Sequence, residues 1–254
     1  MQNQSVQGNY SDTNQWDKYL SYSNEKQLIL DKIIQIAKPK REWSFLDVGA
    51  GTGEITIPLS QLVGKTTIVE DSKSQVDKLL KKNSFLDIYN KKFEFVMLAR
   101  KFNLVLMSLA LMHIEDWKKT IEKLLACTKP EGYMFIVHHK ESGDLRDFLS
   151  TFRSMINGRE EEKRGKFEDI QQIIQELGEK PNVEEISATL TIPSVKEAVN
   201  LCEFFFHKPV KDFSRQIVSR LEDYFEAKQQ RGKVVLSAHY GIVWVKKGGS
   251  VYKV

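Results

Sequence analysis

Three glycines stand at alternate positions, Gly49, Gly51 and Gly53, in the stretch FLDVGAGTGE from Phe45 to Glu54. They follow an apolar run that carries one acid, Asp47. A loop this poor in side chains lets a ligand approach the main chain, and backbone amides and a helix N-terminus then face it. A dinucleotide loop needs Gly-x-Gly-x-x-Gly/Ala, but residue 54, where its last glycine belongs, is Glu. A phosphate wants no carboxylate beside it. The P-loop pattern also fails, because no Gly-Lys-Ser/Thr follows. The ligand expected over Gly49, Ala50, Gly51 and Gly53 is therefore not a pyrophosphate.

Glu70 ends the next apolar run, TTIVE, 17 residues after Gly53 (70 − 53). An acid there can accept hydrogen bonds from both ribose hydroxyls of a nucleoside. A solvent-facing acid at a strand end is the plainer alternative, and the glycine loop before it favours the ribose. His113 follows the apolar run FNLVLMS and precedes a helical pattern. It could accept a proton or orient a reactant; the alternative is a histidine that caps or packs its own loop. Glu115 and Asp116 read as acids at a helix N-terminus. Cys127 and Cys202 have neither metal-ligand spacing nor a disulfide framework. They read as packed small residues in a reducing, cytoplasmic setting.

These residues need elements to hold them. Apolar spacing from Trp16 to Ile36 predicts one long helix, closed at Lys38-Pro39-Lys40. Strands are expected at Trp43–Val48, Thr66–Glu70, Phe85–Tyr89, Phe102–Ser108 and Tyr133–Val137. Helices are expected at Glu54–Leu62, bent at Pro58, at Ser74–Lys82 and at Ile114–Cys127, with a turn at Lys129–Gly132. The fourth strand has no alternation, which suits a strand buried on both faces of a parallel sheet. Alternation of strands and helices gives a doubly wound α/β domain. The last third reads as helices at Leu145–Ile156, Phe167–Leu177, Ser194–Phe206 and Val210–Ala227, with strands at Val183–Ile192 and Val234–Val245. Residues 1 to about 14 read as disordered.

The order DVGAGTGE, IVEDS, FNLVLMSLALMHI and LLACTKPEGYMFIV resembles the class I S-adenosylmethionine-dependent methyltransferases over about Trp43 to His138. The resemblance implies a glycine loop under the methionine and ribose parts of S-adenosyl-L-methionine. It implies that Glu70, with Asp71 beside it, holds the ribose. Asp47 would orient the loop and, often through water, the cofactor's amino group. Ser108, Leu109 and the residues to His113 would line the cofactor and face the acceptor. For the adenine, Glu94 is the nearest acid, with Phe93 or Phe95 able to pack on the ring; backbone groups alone are the alternative. The tetrad Asn/Asp-Pro-Pro-Tyr/Phe is absent, since that place reads SLAL. Neither cysteine stands where an RNA cytosine-C5 enzyme needs its nucleophile.

Tyr19, with Trp16 and Tyr22, would cover the cofactor from a lid helix, where an aromatic ring attracts a sulfonium; plain packing is the alternative. The layout of the last third and the segment YLSYSNEKQLILDKII are similar to histamine N-methyltransferase and its relatives. Phe204, Phe205, Phe206, His207, His239 and Tyr240 would then form the acceptor wall.

The expected fold is α/β and Rossmann-like, with a doubly wound, mostly parallel seven-stranded sheet. Its expected parts are an N-terminal helical lid over 1–40, a cofactor-binding core over 41–142, and a C-terminal remainder of the sheet with a helical cap over 143–254. The expected activity is methyl transfer by in-line displacement to a small-molecule acceptor, with an amine as first candidate. No metal is expected. The 38 basic and 34 acidic residues, net +4, are too balanced to imply nucleic acid. The opening residues MQNQSVQGNYSDTNQ lack a signal-peptide pattern. The apolar run Leu104–Met112 falls far short of the roughly 20 residues of a membrane helix. Two alternatives stand beside this reading. One is methylation of tRNA or protein docked on Lys208, Lys211, Arg215 and Arg220; the other is a cofactor-binding interaction protein without catalysis.

Overall fold

The computed structural model describes residues 13–83, 86–158 and 165–248. The chain forms two compact units. One comprises residues 26–141, 164–186 and 240–254, the other residues 1–25, 142–163 and 187–239.

The first of these holds the parallel strands β1 (Ser44–Val48), β2 (Lys65–Val69), β3 (Asp87–Tyr89), β4 (Phe102–Ser108) and β5 (Thr128–His139). All four pairings β3-β2, β2-β1, β1-β4 and β4-β5 are parallel. With β6 (Asn182–Ile192), β7 (Gln229–Gln230) and β8 (Lys233–Lys246), the sheet has eight strands in the order β3-β2-β1-β4-β5-β8-β6. The two-residue β7 lies off that path, paired to β8. The path itself thus has the seven strands expected, and β8 meets β5 antiparallel. The interior of β4 is buried on both faces. Its Val105 and Met107, with Met134 and Ile136 of β5, pack under α5 (Trp117–Cys127) and α7 (Phe167–Glu176) through Ile121, Leu124, Phe167, Ile170 and Ile174. A parallel sheet covered in this way has its ligand edge at the carboxyl ends of its strands.

The other unit contains α1 (Thr13–Tyr22), α6 (Asp144–Asn157), α8 (Val195–Phe206) and α9 (Arg215–Ala227). Its interior is aromatic: Phe148 stands 5.2–5.7 Å from the rings of Phe152, Phe205, Phe206, Tyr224 and Phe225.

Several expectations need correction. The single helix from Trp16 to Ile36 is two helices, α1 and α2 (Glu25–Ala37). Asn24 interrupts them by bonding Thr189 twice, through its backbone N–H and its side-chain carbonyl. Ser23 Oγ caps the next helix by accepting from Glu25 N. The helix after the glycine loop, α3, covers only Thr56–Ser60. Pro58 offers no N–H, and the chain leaves in tighter turns from Gln61 N to Pro58 O and Leu62 N to Leu59 O. α5 starts at Trp117, capped by Asp116 through Lys119 N, after a 3₁₀ turn at Leu111–His113. The expected turn at Lys129–Gly132 is an irregular part of β5, where pairing jumps from Phe102↔Thr128 to Leu104↔Tyr133. The helix expected at Val210–Ala227 is a 3₁₀ turn, Val210–Asp212, followed by α9, whose cap is Ser214. Phe85 and residues 1–12, expected as strand and as disorder, lie outside the described residues, and α1 already begins at Thr13. No helix of the described residues is long and apolar enough to cross a membrane.

Candidate functional site

The glycine loop leaves β1 with positive φ at Gly49, Gly51 and Gly53. A Cβ on Gly49 would collide with the Ala110 side chain, so the loop lies directly against the segment after β4. Gly51 is different. A Cβ there would meet nothing closer than Gln75 Oε1 at 3.6 Å, so it is its φ of +59°, not crowding, that calls for glycine. Ala50 completes the turn by accepting from Gly53 N at 3.1 Å.

Glu70 follows β2 and is buried. Its Oε2 accepts from Gly51 N at 2.9 Å and its Oε1 from Ser72 N at 2.9 Å. A carboxylate has about four acceptor sites, so two remain for ribose hydroxyls. Burial pushes this carboxyl above its usual range; the two backbone bonds oppose that, and Asp71 alongside adds to it. Asn90 holds the turn by donating to the carbonyls of Glu70 and Asp71 at 2.8 and 3.1 Å. Nothing in the sequence beyond its place just after β3 marks that residue. Asp47, buried on β1, accepts from Thr56 Oγ1 at 2.5 Å. Burial raises its carboxyl to about 7, against the Thr56 bond, with the Glu70 charge adding to the rise. This ties the strand to α3.

Glu54, the acid that argued against a phosphate, turns elsewhere. It accepts from Thr52 Oγ1 at 2.6 Å and from Lys82 Nζ at 2.9 Å. Burial pushes it up, but those two donors outweigh burial and hold it below the usual carboxylate range. Lys82 also donates to Thr52 O at 2.8 Å. The partner lies 28 positions away and carries no motif.

Ser108 ends β4 with Oγ buried and without a hydrogen-bond partner. Gln75 Oε1, beside Gly51, is likewise buried and unpartnered. Leu109 takes a φ of +55°, a strained value for a leucine, and donates its N–H to Val137 O at 2.9 Å. Glu70, Ser108 and Gln75 thus leave acceptor and donor capacity around the bare loop. A nucleoside ligand rich in hydroxyl and amino groups suits that set.

The other expected residues fall as follows. His113 is exposed at the end of the 3₁₀ turn, its N–H on Ala110 O. Glu94 is exposed in a 3₁₀ turn, Phe93–Phe95, whose carbonyls Lys123 gathers. Of the two aromatic alternatives, Phe93 is core with Lys123 over its ring, while Phe95 is 73% exposed. Tyr19 belongs to the unit of α1. Its ring stacks on Phe204 at 5.0 Å, and its hydroxyl donates to Glu25 Oε2 at 2.6 Å. Glu25 is only 1% exposed, an acid that the sequence shows merely as a helix-opening residue. Phe204 and Phe205 are half-buried there and Phe206 is buried. His207 caps α8 in a left-handed conformation, and His239 Nδ1 pairs with Ser142 Oγ at 3.0 Å. Tyr240 is fully buried in the other unit, against His139. Both cysteines are free and buried.

A family model described as "Methyltransferase domain" matches residues 20–179. No curated protein matches the sequence. Among solved structures, a candidate methyltransferase of Bacillus halodurans superposes with a TM-score of 0.62 at 15% identity, covering 86% of this chain and 98% of that one. A Thermotoga maritima S-adenosylmethionine-dependent methyltransferase, a candidate histamine N-methyltransferase, gives 0.54 at 15% identity, covering 93% and 97%. Haemonchus contortus phosphoethanolamine N-methyltransferase 2, solved with phosphomonomethylethanolamine and S-adenosylhomocysteine, gives 0.51 at 15% identity, covering 92% of this chain and 53% of that one. At this identity the likeness is one of fold.

Proposed function

The chain belongs to the methyltransferase-domain family and is an S-adenosylmethionine-dependent enzyme of class I fold, and we propose that its acceptor is the nitrogen of a small amine. The observation that carries the cofactor assignment to particular residues is the Glu70 carboxylate, bonded to Gly51 N and Ser72 N with acceptor sites to spare. Bound there, S-adenosylmethionine supplies a methyl group on a cationic sulfur, open to in-line displacement. The residues around it position and exclude water, and good alignment supplies much of the acceleration. Glu70 takes the ribose hydroxyls. Gln75 Oε1 accepts from a neighbouring hydroxyl or amino group, and Ser108 Oγ bonds the methionine end. Phe95 is the ring available to the adenine. Asp47, bonded to Thr56, holds the loop, and His113 orients the acceptor from the exposed side of the same segment.

Two observations favour an amine. Relatives of this fold include a candidate histamine N-methyltransferase and a phosphoethanolamine N-methyltransferase. In the unit of α1, Glu25 is a buried carboxylate that accepts from the Tyr19 hydroxyl, and the Tyr19 ring packs with Trp16, Phe204 and Phe205. A buried acid bonded into an aromatic cluster suits a cation. With two buried thiols and no disulfide among the described residues, the reading keeps the enzyme cytoplasmic.

Calorimetric titration with S-adenosylmethionine and S-adenosylhomocysteine, on wild type and Glu70→Ala, tests the site. Two hydrogen bonds to a charged acceptor are each worth about 1.5–3 kcal/mol, so affinity should fall roughly 100-fold or more. Equal affinity in the two proteins would remove Glu70 from the ribose.

A further inference from the structure

His138 stands at the carboxyl end of β5, and only 6% of it is exposed. Its Nδ1 lies 2.9 Å from the carbonyl of His139. A carbonyl can only accept, so Nδ1 carries the hydrogen and the lone pair is on Nε2. Nε2 is buried and has no hydrogen-bond partner among the described residues. An unpaired buried polar atom costs about 1–3 kcal/mol, so a fold that keeps one has a use for it. The nearest ring does not meet the need. Trp117 stands edge-on at 5.2 Å, but its indole N–H is spent on Ile114 O at 3.1 Å.

The position of this nitrogen matters as much as its bonding. Val137, one residue earlier, accepts from Leu109 N at 2.9 Å. That bond stitches the segment after β4 to β5 immediately beside His138. Trp117, which covers the ring, follows the same segment at the start of α5. His138 is therefore bracketed by the stretch from Ser108 to Trp117, on the ligand edge of the sheet.

We propose that His138 Nε2 is the base that takes the proton of the methyl acceptor. The inference rests on the amine reading above. An ammonium N–H gives its proton to Nε2, the freed nitrogen lone pair forms the new N–CH3 bond, and the S–CH3 bond breaks with its electron pair left on sulfur. The imidazolium then returns the proton to solvent. A backbone carbonyl on Nδ1 fixes the tautomer that this needs. Burial holds the ring below its ordinary value, so it is neutral near pH 7. The His139 carbonyl, Glu141, and Glu168 and Asp169 of α7 oppose that shift; the His139 ring stands 6.4 Å away on the same strand, and Lys140 follows just past its end.

The test measures S-adenosylhomocysteine affinity, turnover of histamine and of phosphoethanolamine, and the pH dependence of kcat, in wild type and His138→Gln. The glutamine variant should bind S-adenosylhomocysteine as wild type does and lose roughly 100-fold or more in kcat. Wild-type kcat should fall only on the acid side of the ordinary histidine value of about 6.5, as Nε2 becomes protonated. A variant that binds the nucleoside and keeps kcat overturns the inference alone. So does a wild-type kcat with no decline at any acid pH at which the protein stays folded, a result that needs no variant to fold. A wild type that binds S-adenosylhomocysteine but methylates neither amine overturns the amine reading and this inference with it.

Discussion

Asp47 shows how one buried atom pair sets a measurable property. Its carboxyl is raised to about 7, first by burial, against a bond from Thr56 and with the Glu70 charge beside it. In the unfolded chain an aspartate titrates near 4. Between those values the folded chain holds a proton that the unfolded chain has lost, so stability declines as pH rises from about 4 to about 7 and is level above. Asp47→Asn keeps an acceptor for Thr56 and has nothing to ionise. In urea unfolding without ligand, the asparagine variant should lack that decline and exceed wild type by the order of a few kcal/mol near pH 8. Parallel stability profiles for the two proteins would mean that Asp47 is already ionised in the native state. Gly49 and Glu70 stand where glycine spacing and an acid at a strand end put them, after β1 and after β2, because those signals are local. Lys82 and Asn90 were not legible in this way, because each acts on a backbone or carboxylate that only the fold brings near.

At the scale of elements, β1, β2 and β4 were readable to within a residue at each end, whereas β5 runs from Thr128 to His139 through the expected turn. β4 is Phe102–Ser108 as its unbroken apolar run requires. Helix ends were less readable, since they were decided by distant partners: Asn24 breaks the first helix because Thr189 is there to receive it. Asp144 is the clearest such end. It opens α6, its Oδ2 accepts from Ser237 N at 2.9 Å and Oγ at 2.6 Å, and its Oδ1 takes Lys228. Burial raises this carboxyl, yet Lys228 and Ser237 outweigh burial and bring it to about 2. The sign is opposite to that of Asp47: the stabilisation is present above the unfolded value near 4 and is lost as pH falls towards 2. Asp144→Ala should cost about 2 kcal/mol at pH 7, a figure reduced for the group's partial exposure, and the deficit should shrink between pH 5 and 3. A deficit that stays constant over that range would assign the loss to packing of α6 alone.

At the scale of the whole molecule, two compact units carry different chemistry. One holds the bare loop, Glu70 and the unpartnered Ser108, Gln75 and His138 atoms. The other holds Glu25 with Tyr19 in an aromatic surround. The glycine loop, Glu70 and Ser108 of the first were expected from the sequence; Gln75 and His138 were not. The second was announced by no motif, because rings and an acid spaced as on any amphipathic helix look the same whether they make a core or grip a cation. Kinetics can separate the two. Loss of an attraction between a cation and a buried acid acts on acceptor binding, and uniform binding loss appears in KM. Glu25→Gln keeps a carbonyl for the Tyr19 hydroxyl and removes only the charge. It should raise KM for histamine by roughly 10-fold or more, the size of one desolvated charge pair, while leaving S-adenosylhomocysteine affinity unchanged. Glu70→Ala should do the reverse. A Glu25→Gln enzyme with unaltered KM and a higher melting temperature would identify the acid as a buried structural charge, and the amine reading would then rest on fold likeness alone.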